Sequence, residues 1–440
     1  MIEKEAGSPR LFFVRQTNLW FGAFIMTKAV LPSPFIAIIG AGPAGLMAAE
    51  RLSALSYRVA IYDRMPMPGR KFLMAGRGGL NLTHTESLDQ FLAHYGEARE
   101  FITPFIMAFL PADLCAWCDS LGEHHFVGSS GRVFPKSFKA SPLLRAWLRR
   151  LEAQGVEFFM RHDWKGFDDQ GALCFENEVH ATELVKADAV LLALGGASWP
   201  KLGATGSWQS VLRDKAIAIT PLTASNVGVK VAWSEYFTSR FAGHPLKRLI
   251  ASCGARREVG EAIVTQQGIE GGAIYALGPA LRESIAHSGH TILSLDLRRD
   301  VSEADLISRL TKPRGKKSLS TFLASAAGLD PVSIALLRES FLLRDEKLPE
   351  DPLALARAIK SCELKVQGMS GLDRAISTAG GIQRDEFDSN LMIKKMRGVF
   401  AAGEMIDWDA PTGGYLMQAC FSTSVAAAQG IVNWLGKSSA

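Results

Sequence analysis

The chain has 440 residues, of which 48% are hydrophobic and 21% charged, with 41 glycines and 19 prolines. This composition excludes a disordered, fibrous or collagen-like protein and predicts a globular protein of two or three domains. The net charge of +5, from 49 basic and 44 acidic residues, is spread along the chain and favours neither a nucleic-acid partner nor a membrane partner.

Residues 1–34 are predicted to be an N-terminal extension. Residues 11–31 are fairly apolar, but polar residues interrupt them, and a membrane-spanning helix needs about 20 predominantly apolar residues. Met26 stands nine residues before the first predicted strand, so we expect the functional start there and expect residues 1–25 to be dispensable. The cysteines are sparse and follow no secretory signal with a clean apolar core, which favours a cytoplasmic location.

The first predicted strand is followed by a glycine motif. The apolar run from Ile36 ends in Gly40, Gly42 and Gly45, spaced as G-x-G-x-x-G, and an apolar helical pattern follows. Gly40 permits the sharp turn, Gly42 lets the backbone approach a phosphate, and Gly45 lets the helix pack on the strand. The arrangement is typical of a turn that presents backbone N–H groups and a helix N-terminus to a pyrophosphate.

A second strand is predicted at residues 58–63. It ends in Asp63, which lies 23 residues after Gly40 and is suitably placed to accept hydrogen bonds from a ribose. The strand, the glycines, the helix and the acidic residue together predict a dinucleotide-binding α/β domain.

Residues 69–83 are predicted to form a long functional loop, because they are polar and interrupted by glycines. Lys71 is expected to lie near phosphates, where a cation is electrostatically favoured. His84 is a candidate general base, but it could equally cap the next helix or lie on the surface.

The middle of the chain alternates between helical and strand-like patterns. Helices are predicted within residues 97–121 and 140–154, a hairpin at 124–134, short strands at 156–180 and a buried strand ending in glycines at 189–196. The basic segment 312–317 is expected to be solvated surface. The predicted domains are the extension 1–34, a dinucleotide-binding domain in two parts at 35–220 and 365–440, a β-rich substrate domain at 221–301 and a helical domain at 302–364.

The C-terminal part supplies the second half of the predicted cofactor site. A short strand ends in Gly403-Glu404, Asp407 follows, and Gly413-Gly414 precede a long helix predicted from about Thr412 to Leu435. A reduced flavin carries negative charge at its N1 and O2 edge, and a helix N-terminus offers unpaired N–H groups and about half a positive charge. A nicotinamide enzyme would not need this distant segment, so its presence favours FAD.

The motifs resemble one known family, the BaiN/YhiN-like bacterial flavoproteins, which include bile-acid enone reductases and aminoacetone oxidases. The resemblance covers residues 35–435 and is most specific from Ala402 to Gln418. It implies an α/β fold with a glutathione-reductase-like FAD-binding Rossmann domain, interrupted by a β-rich domain and a small helical domain. Gly79 and Leu80 replace the Arg-Cys pair of many relatives, and Leu416 replaces an Asn.

The residues predicted to bind FAD come from the glycine motif, the second strand, the 69–83 segment and the glycine-rich segments of the later strands. The resemblance specifically implies that Gly40, Gly42, Gly45, Asp63, Lys71, Asn81, Gly403, Glu404, Asp407, Gly414 and Gln418 line the cofactor. The remaining predicted FAD-binding residues are Ala41, Pro43, Ala44, Arg64, Arg70, Leu82, Thr83, Gly195, Gly196, Gly413 and Tyr415.

Three other pairs of residues carry weaker predictions. Cys115 and Cys118 could form a redox pair, but they lie in an apolar helical stretch, where cysteines are usually part of the core. His124 and His125 would point to opposite faces of a strand, so no metal site is predicted. Trp199 and Tyr415 could flank the flavin or a substrate, or could anchor packing.

The sequence therefore predicts an FAD-dependent oxidoreductase that passes two electrons between a small organic substrate and the flavin. NAD(P)H is a candidate transient electron donor, although no second G-x-G-x-x-G follows a strand. An oxidase that uses oxygen on a small amine and a flavin-binding sensor or partner protein are the alternatives. Hydride transfer needs orientation more than a dedicated acid or base, so no catalytic residue is assigned.

Overall fold

The computed structural model describes residues 33–76 and 78–438, so the prediction that residues 1–25 are dispensable lies outside the described residues. The first part of the chain runs through β1 (Phe35–Ile39), α1 (Pro43–Ser53), β2 (Arg58–Asp63), α2 (Arg70–Ala75), β3 (Thr83–His84), α3 (Leu88–Ala93), α4 (Arg99–Ala108), α5 (Pro111–Ser120), β4 (His125–Val127), β5 (Arg132–Pro135), α6 (Ala140–Ala153), β6 (Glu157–Met160), β7 (Asp163–Phe167), β8 (Leu173–Glu176), β9 (Thr182–Val185) and β10 (Ala189–Leu192). The second part runs through α7 (Trp208–Asp214), β11 (Ile219–Ser225), β12 (Val229–Lys230), α8 (Glu235–Phe241), β13 (Pro245–Cys253), β14 (Arg256–Val264), β15 (Gly268–Glu270), α9 (Gly272–Ala276), α10 (Gly278–Ser288), β16 (Thr291–Asp296), α11 (Glu303–Leu310), α12 (Leu319–Ala326), α13 (Pro331–Leu342), α14 (Pro352–Lys360), β17 (Cys362–Val366), β18 (Gly368–Met369), β19 (Ser377–Ile382), β20 (Val399–Ala401) and α15 (Tyr415–Ser438).

A five-stranded parallel sheet in the order β20-β10-β1-β2-β6 forms the centre of the first structural layer. Strands β1 and β10 are buried almost throughout, as expected for parallel strands covered on both faces. Helix α1 begins at Pro43, whose fixed backbone angle suits the first helical position. Because parallel strands end at one edge, the segments after β1, β2, β10 and β20 meet there.

The strands predicted at these four places are confirmed, as are the 124–134 hairpin, helix α6 and the long C-terminal helix. Residues 97–121 hold two helices, α4 and α5, separated by two residues.

The prediction of an irregular loop at residues 69–83 is wrong. The segment contains α2 and the start of β3. Gly69, with a φ of +69°, precedes α2, and Gly76 ends it, so the glycines bound a short helix rather than excluding one. Phe72 is buried and fixes this helix on the core. The β-rich segment 221–301 likewise contains α8, α9 and α10, which the strand-like patterns had obscured.

A seven-stranded antiparallel sheet in the order β17-β16-β13-β14-β15-β12-β18 carries the second core. Helices α11 to α14 contribute buried side chains to the same hydrophobic cluster as this sheet, including Leu306, Leu323, Leu337 and Leu355. The sheet and the helices therefore stabilise one another, while the domain boundaries given above stay predictions.

Strands β11 and β19 connect the two cores. They pair antiparallel, with Ser225 opposite Ser377, and carry the chain from the parallel sheet to the second core and back. Within the described residues no single helix is long and apolar enough to cross a membrane. The helical segments 96–108 and 111–120, which meet at a bend, together have the length and apolar composition of a membrane span.

Candidate cofactor site

A groove of about 980 Å³, partly open to solvent, runs along the carboxyl edge of the parallel sheet. Such edges are where ligands bind in open α/β sheets. The groove is lined by residues 39–44, 62–65, 69–71, 193–195 and 202–208, and by Ala402, Glu404 and Cys420, among others.

The three glycines of the motif are required for different reasons. A Cβ on Gly40 would overlap the carbonyl of Ala193, and one on Gly45 would overlap the carbonyl of Gly40. A Cβ on Gly42 would meet no protein atom within 4 Å. The protein's own packing therefore explains Gly40 and Gly45, whereas the open space at Gly42 suits close approach of a ligand.

Asp63 anchors the turn between β1 and α1. Its Oδ2 accepts a 2.7 Å hydrogen bond from the Ala41 N–H, and its Oδ1 accepts one of 2.7 Å from the Met65 N–H. Burial raises the pKa of this carboxyl above its ordinary value, although both hydrogen bonds act in the opposite direction. Each oxygen keeps acceptor capacity for a ribose hydroxyl.

Two arginines supply positive charge to the groove. Arg64 donates a 3.1 Å hydrogen bond to the Thr205 hydroxyl and lies 3.7 Å from Asp163. Arg70 lines the groove, and no hydrogen bond or ion pair joins its side chain to any described residue. Its five donors make it well suited to a phosphate.

Lys71, which was expected to lie near phosphates, lines the groove and is paired within the protein. Its Nζ lies 2.7 Å from Glu404 Oε2 and 2.6 Å from Ser198 Oγ. Glu404 Oε1 in turn accepts a 3.0 Å hydrogen bond from the Thr378 N–H on β19. The pair joins α2 to the segment after β20 and leaves one Lys71 proton available to a ligand.

Several buried polar atoms, one of them on the groove residue Trp164, have no hydrogen-bond partner among the described residues. They include Asn81 Oδ1, Thr83 Oγ1, Gln418 Oε1 and Trp164 Nε1. Thr83 packs directly against Gly414, and the Gln418 N–H bonds to the Gly414 carbonyl, so two of these atoms flank the start of α15. An unsatisfied buried polar group costs about 1–3 kcal/mol, and a polar ligand would remove that cost. The residues present therefore fit FAD.

The start of α15 is closely packed. Gly413 and Gly414 have φ angles of +142° and +99°, and a Cβ on Gly414 would lie 2.5 Å from the Cα of Thr83. Tyr415 donates a 2.6 Å hydrogen bond to Glu86 and packs against Phe91. Burial, followed by the hydrogen bond to Glu86 and then the Glu86 charge, raises the pKa of Tyr415 well above its ordinary value, so the phenol stays protonated.

His84 has neither of the specific roles considered for it. Its Nδ1 accepts a 3.1 Å hydrogen bond from the Glu86 N–H, so its Nε2 carries the proton that is donated at 2.8 Å to the Ser130 carbonyl. With both nitrogens bound to backbone groups, the imidazole is a structural link rather than a general base or a helix cap.

Cys115 and Cys118 are not an activated pair: Cys118 is buried in the core, and Cys115 is partly buried. Burial raises the pKa of Cys115 to about 11 and that of Cys118 to about 12, and Asp119 adds to both shifts. A reactive thiol needs the opposite shift. His125 is bound to Asp119 at 2.9 Å, and no cluster of metal-ligating side chains occurs among residues 33–76 and 78–438.

The structure separates the predicted cofactor residues into two groups. Those that line the groove are Gly40, Ala41, Gly42, Pro43, Ala44, Asp63, Arg64, Arg70, Lys71, Gly195 and Glu404. Those that lie outside the groove lining are Gly45, Asn81, Leu82, Thr83, Gly196, Gly403, Asp407, Gly413, Gly414, Tyr415 and Gln418. Their contacts with a cofactor stay predictions.

Asp407 has a hydrogen-bond partner within the protein. Its Oδ2 accepts a 2.6 Å hydrogen bond from the Thr220 hydroxyl on β11. The sequence analysis missed Met65, Asp163, Trp164, Thr205 and Trp208, which all line the groove. Thr205 lies between Gly203 and Gly206 and could have been found from that glycine pair, whereas Asp163 and Trp164 carry no local signal.

Comparison with known proteins decides the family. Residues 34–430 match the family model described as the HI0933-like protein Rossmann domain. The chain belongs to this family. The predicted Rossmann-type FAD-binding fold, the flavoprotein family and the oxidoreductase class are thereby confirmed.

Two curated relatives match almost the whole chain. A 3-dehydro-bile acid delta(4,6)-reductase of Clostridium scindens is 24% identical over 409 residues, covering 89% of this chain and 97% of the relative. A ribosomal RNA dihydrouridine synthase of Haemophilus influenzae is 24% identical over 403 residues, covering 90% and 97%.

Among solved structures, a 3-ketosteroid delta1-dehydrogenase from Sterolibacterium denitrificans is similar with a TM-score of 0.51 at 12% identity. The match covers 92% of this chain and 100% of that one. This likeness supports the fold alone.

Proposed function

We propose that the protein is a cytoplasmic FAD-dependent reductase that adds two electrons to a carbon–carbon double bond conjugated with a carbonyl. The observation that carries the proposal is the groove at the carboxyl edge of the parallel sheet, lined by the open backbone at Gly42 and by Asp63, Arg70 and Lys71. It is supported by the buried polar atoms of Thr83 and Gln418, which have no hydrogen-bond partner among the described residues. The names of the two relatives indicate which kind of bond is reduced. A Δ4 bond beside a 3-oxo group and the C5–C6 bond of uracil are both conjugated with a carbonyl, so one type of reduction covers both of their names.

Different residues would bind different parts of FAD. Asp63 would accept a ribose hydroxyl, the backbone at Gly42 would approach the pyrophosphate, and Arg70 would pair with a phosphate. The amides at the start of α15 would face the flavin edge that becomes anionic on reduction. Bound FAD supplies the hydride chemistry, while these residues bind and orient it.

The electron donor in this proposal is NAD(P)H, which would dock transiently. Bile-acid-like enones are the first substrate candidates, because one relative is named for the reduction of such a compound and small-molecule sites often lie where two domains meet.

RNA is a second substrate candidate, and one surface feature favours it. The connection between α11 and α12 exposes Lys312, Arg314 and Lys316, and none of them forms an ion pair with a described residue. Such a basic loop would attract phosphates. The earlier expectation that no nucleic acid takes part stays a prediction.

The test uses the FAD-loaded protein under anaerobic conditions. NADPH is added to the oxidised protein, and in separate arms oxygen, a 3-oxo-Δ4 steroid or uridine-containing RNA is added to the photoreduced protein. Bleaching of the oxidised protein by NADPH and reoxidation of the reduced protein by the enone support the proposal. Reoxidation by RNA alone supports the second candidate. Fast reoxidation by oxygen with no response to either acceptor indicates an oxidase, and inertness in every arm indicates a flavin-binding protein with little turnover.

A further inference from the structure

Asn226 lies at the point where β11 leaves the parallel-sheet core. It is 2% exposed and adopts a left-handed conformation with a φ of +49°. Its Nδ2 donates to Ser377 Oγ at 2.7 Å and to the Ala410 carbonyl at 2.8 Å, and its Oδ1 accepts a 3.1 Å hydrogen bond from the Thr412 N–H. One buried amide thus joins both connecting strands to the loop that leads into α15.

Asp409 holds the same loop from the side of the second core. Both of its oxygens accept from the Ser225 hydroxyl, at 2.7 and 2.8 Å, and Arg282 Nη2 lies 2.8 Å from Oδ2. Arg282 belongs to α10, and its Nη1 also donates to the Ala224 carbonyl at 3.3 Å. The ion pair therefore spans from a helix of the second core to the loop.

The loop at residues 409–412 is thus held by groups that lie about 130 to 190 positions away in the sequence. Only tertiary contacts bring residues so far apart in the chain together. Gly413 and Gly414 follow it, and Gly414 packs on the backbone of Thr83. Any shift of the loop would move the first amides of α15 relative to Thr83 and to the second core.

Resting on the proposed function, we propose that Asn226 and Arg282 are positioning residues. They fix the first turn of α15, and hence the flavin edge it would face, relative to the core that would hold the substrate. The reaction needs this fixed relation, because a displacement of about 1 Å between reacting groups can lower a rate roughly hundredfold.

The test compares Asn226→Gly and Arg282→Met with wild type and with Arg150→Met. Glycine keeps the left-handed backbone accessible and removes the side chain with its amide. Arg150 forms a 2.9 Å pair with Glu50 that is buried to a similar degree but lies away from the loop, so it is the matched control.

We expect Asn226→Gly to bind one FAD per chain, to raise hydrogen–deuterium exchange of amides 410–418 at least tenfold, and to shift the visible flavin absorbance. Enone-dependent reoxidation at saturating substrate should fall at least tenfold with KM little changed. Arg282→Met should change the same quantities in the same direction by a smaller factor. Arg150→Met should lower thermal stability only.

Wild-type exchange and absorbance in Asn226→Gly would overturn the positioning role, as would equal changes in Arg150→Met. If wild type binds FAD but reduces no conjugated double bond, the proposed function fails, while exchange and absorbance still decide whether Asn226 positions the turn. Asn226→Asp keeps the Oδ1 acceptor, so amide exchange and flavin absorbance closer to wild type than in Asn226→Gly would support the assignment further.

Discussion

The two ends of the candidate site are built in different ways. The nucleotide end, around β1, α1 and β2, is formed by residues close in sequence. Its backbone segments pack so closely that a Cβ added at Gly40 or Gly45 would overlap a carbonyl group. The proposed flavin end, around Thr83 and α15, is formed by segments more than 300 residues apart and contains buried polar atoms that have no partner among the described residues. The first end is thus specified by the protein's own packing, whereas in our proposal a ligand would complete the second.

The largest expected effect is at the nucleotide end. Gly45→Ala places a Cβ on the Gly40 carbonyl, and overpacking of this kind costs about 3 kcal/mol at the upper end of its usual range. We expect the free energy of unfolding in urea to fall by about that amount and FAD binding to be lost with it.

Gly42→Ala is the matched control for this change. Its Cβ meets no protein atom within 4 Å, so stability should stay within about 0.5 kcal/mol of wild type while the FAD dissociation constant rises. Equal destabilisation by the two substitutions would contradict the division of roles between these glycines.

The Lys71–Glu404 ion pair connects α2 to the segment after β20. Their side chains are 26% and 13% exposed, so Lys71→Met leaves a largely buried carboxylate unpaired and should cost about 2 kcal/mol after partial screening by solvent. Adding Glu404→Gln should recover much of this loss. A thermodynamic cycle on the free energies of unfolding would measure the coupling, and additive losses would show that the pair contributes nothing.

At the flavin end, one substitution should act in opposite directions on stability and binding. Thr83→Val removes a fully buried hydroxyl that has no described partner, so the apoprotein should gain about 1 kcal/mol of stability. FAD affinity should fall roughly tenfold, because the bond to the ligand is lost. Calorimetric titration of both proteins checks this, and a less stable apoprotein would mean that the hydroxyl already has a partner.

The smallest effect is expected outside both ends, at Cys115 and Cys118. Their pKa values of about 11 and 12 lie above that of a free thiol, so at pH 8 the reactive thiolate is rarer than in free cysteine. Alkylation should be roughly a hundredfold slower than for free cysteine and should accelerate as the pH rises toward these values. A Cys115→Ser/Cys118→Ser protein should keep flavin reduction unchanged, and its loss would restore the redox-pair hypothesis.

Sequence reasoning located the nucleotide end because local rules govern it. Buried strands read as apolar runs, and glycine spacing and a terminal acid report the turn directly, so β1, Gly40 and Asp63 could be predicted. The same reasoning misjudged α2, because glycines that bound a six-residue helix look like those that break one. Lys71 could be named, but its pairing with Glu404 over 333 positions could not. The role of Asn226 could not be predicted for the same reason, since its three hydrogen bonds go to residues more than 150 positions away.

The central claim is that both ends bind one FAD, and titration of apoprotein with FAD tests it most directly. The account predicts saturable binding of one FAD per chain, a perturbed flavin absorbance spectrum, and weakening of that binding by both Gly42→Ala and Thr83→Val. A colourless preparation that does not take up FAD at micromolar concentration would contradict it. Binding that Thr83→Val leaves unchanged would contradict the assignment of the flavin end.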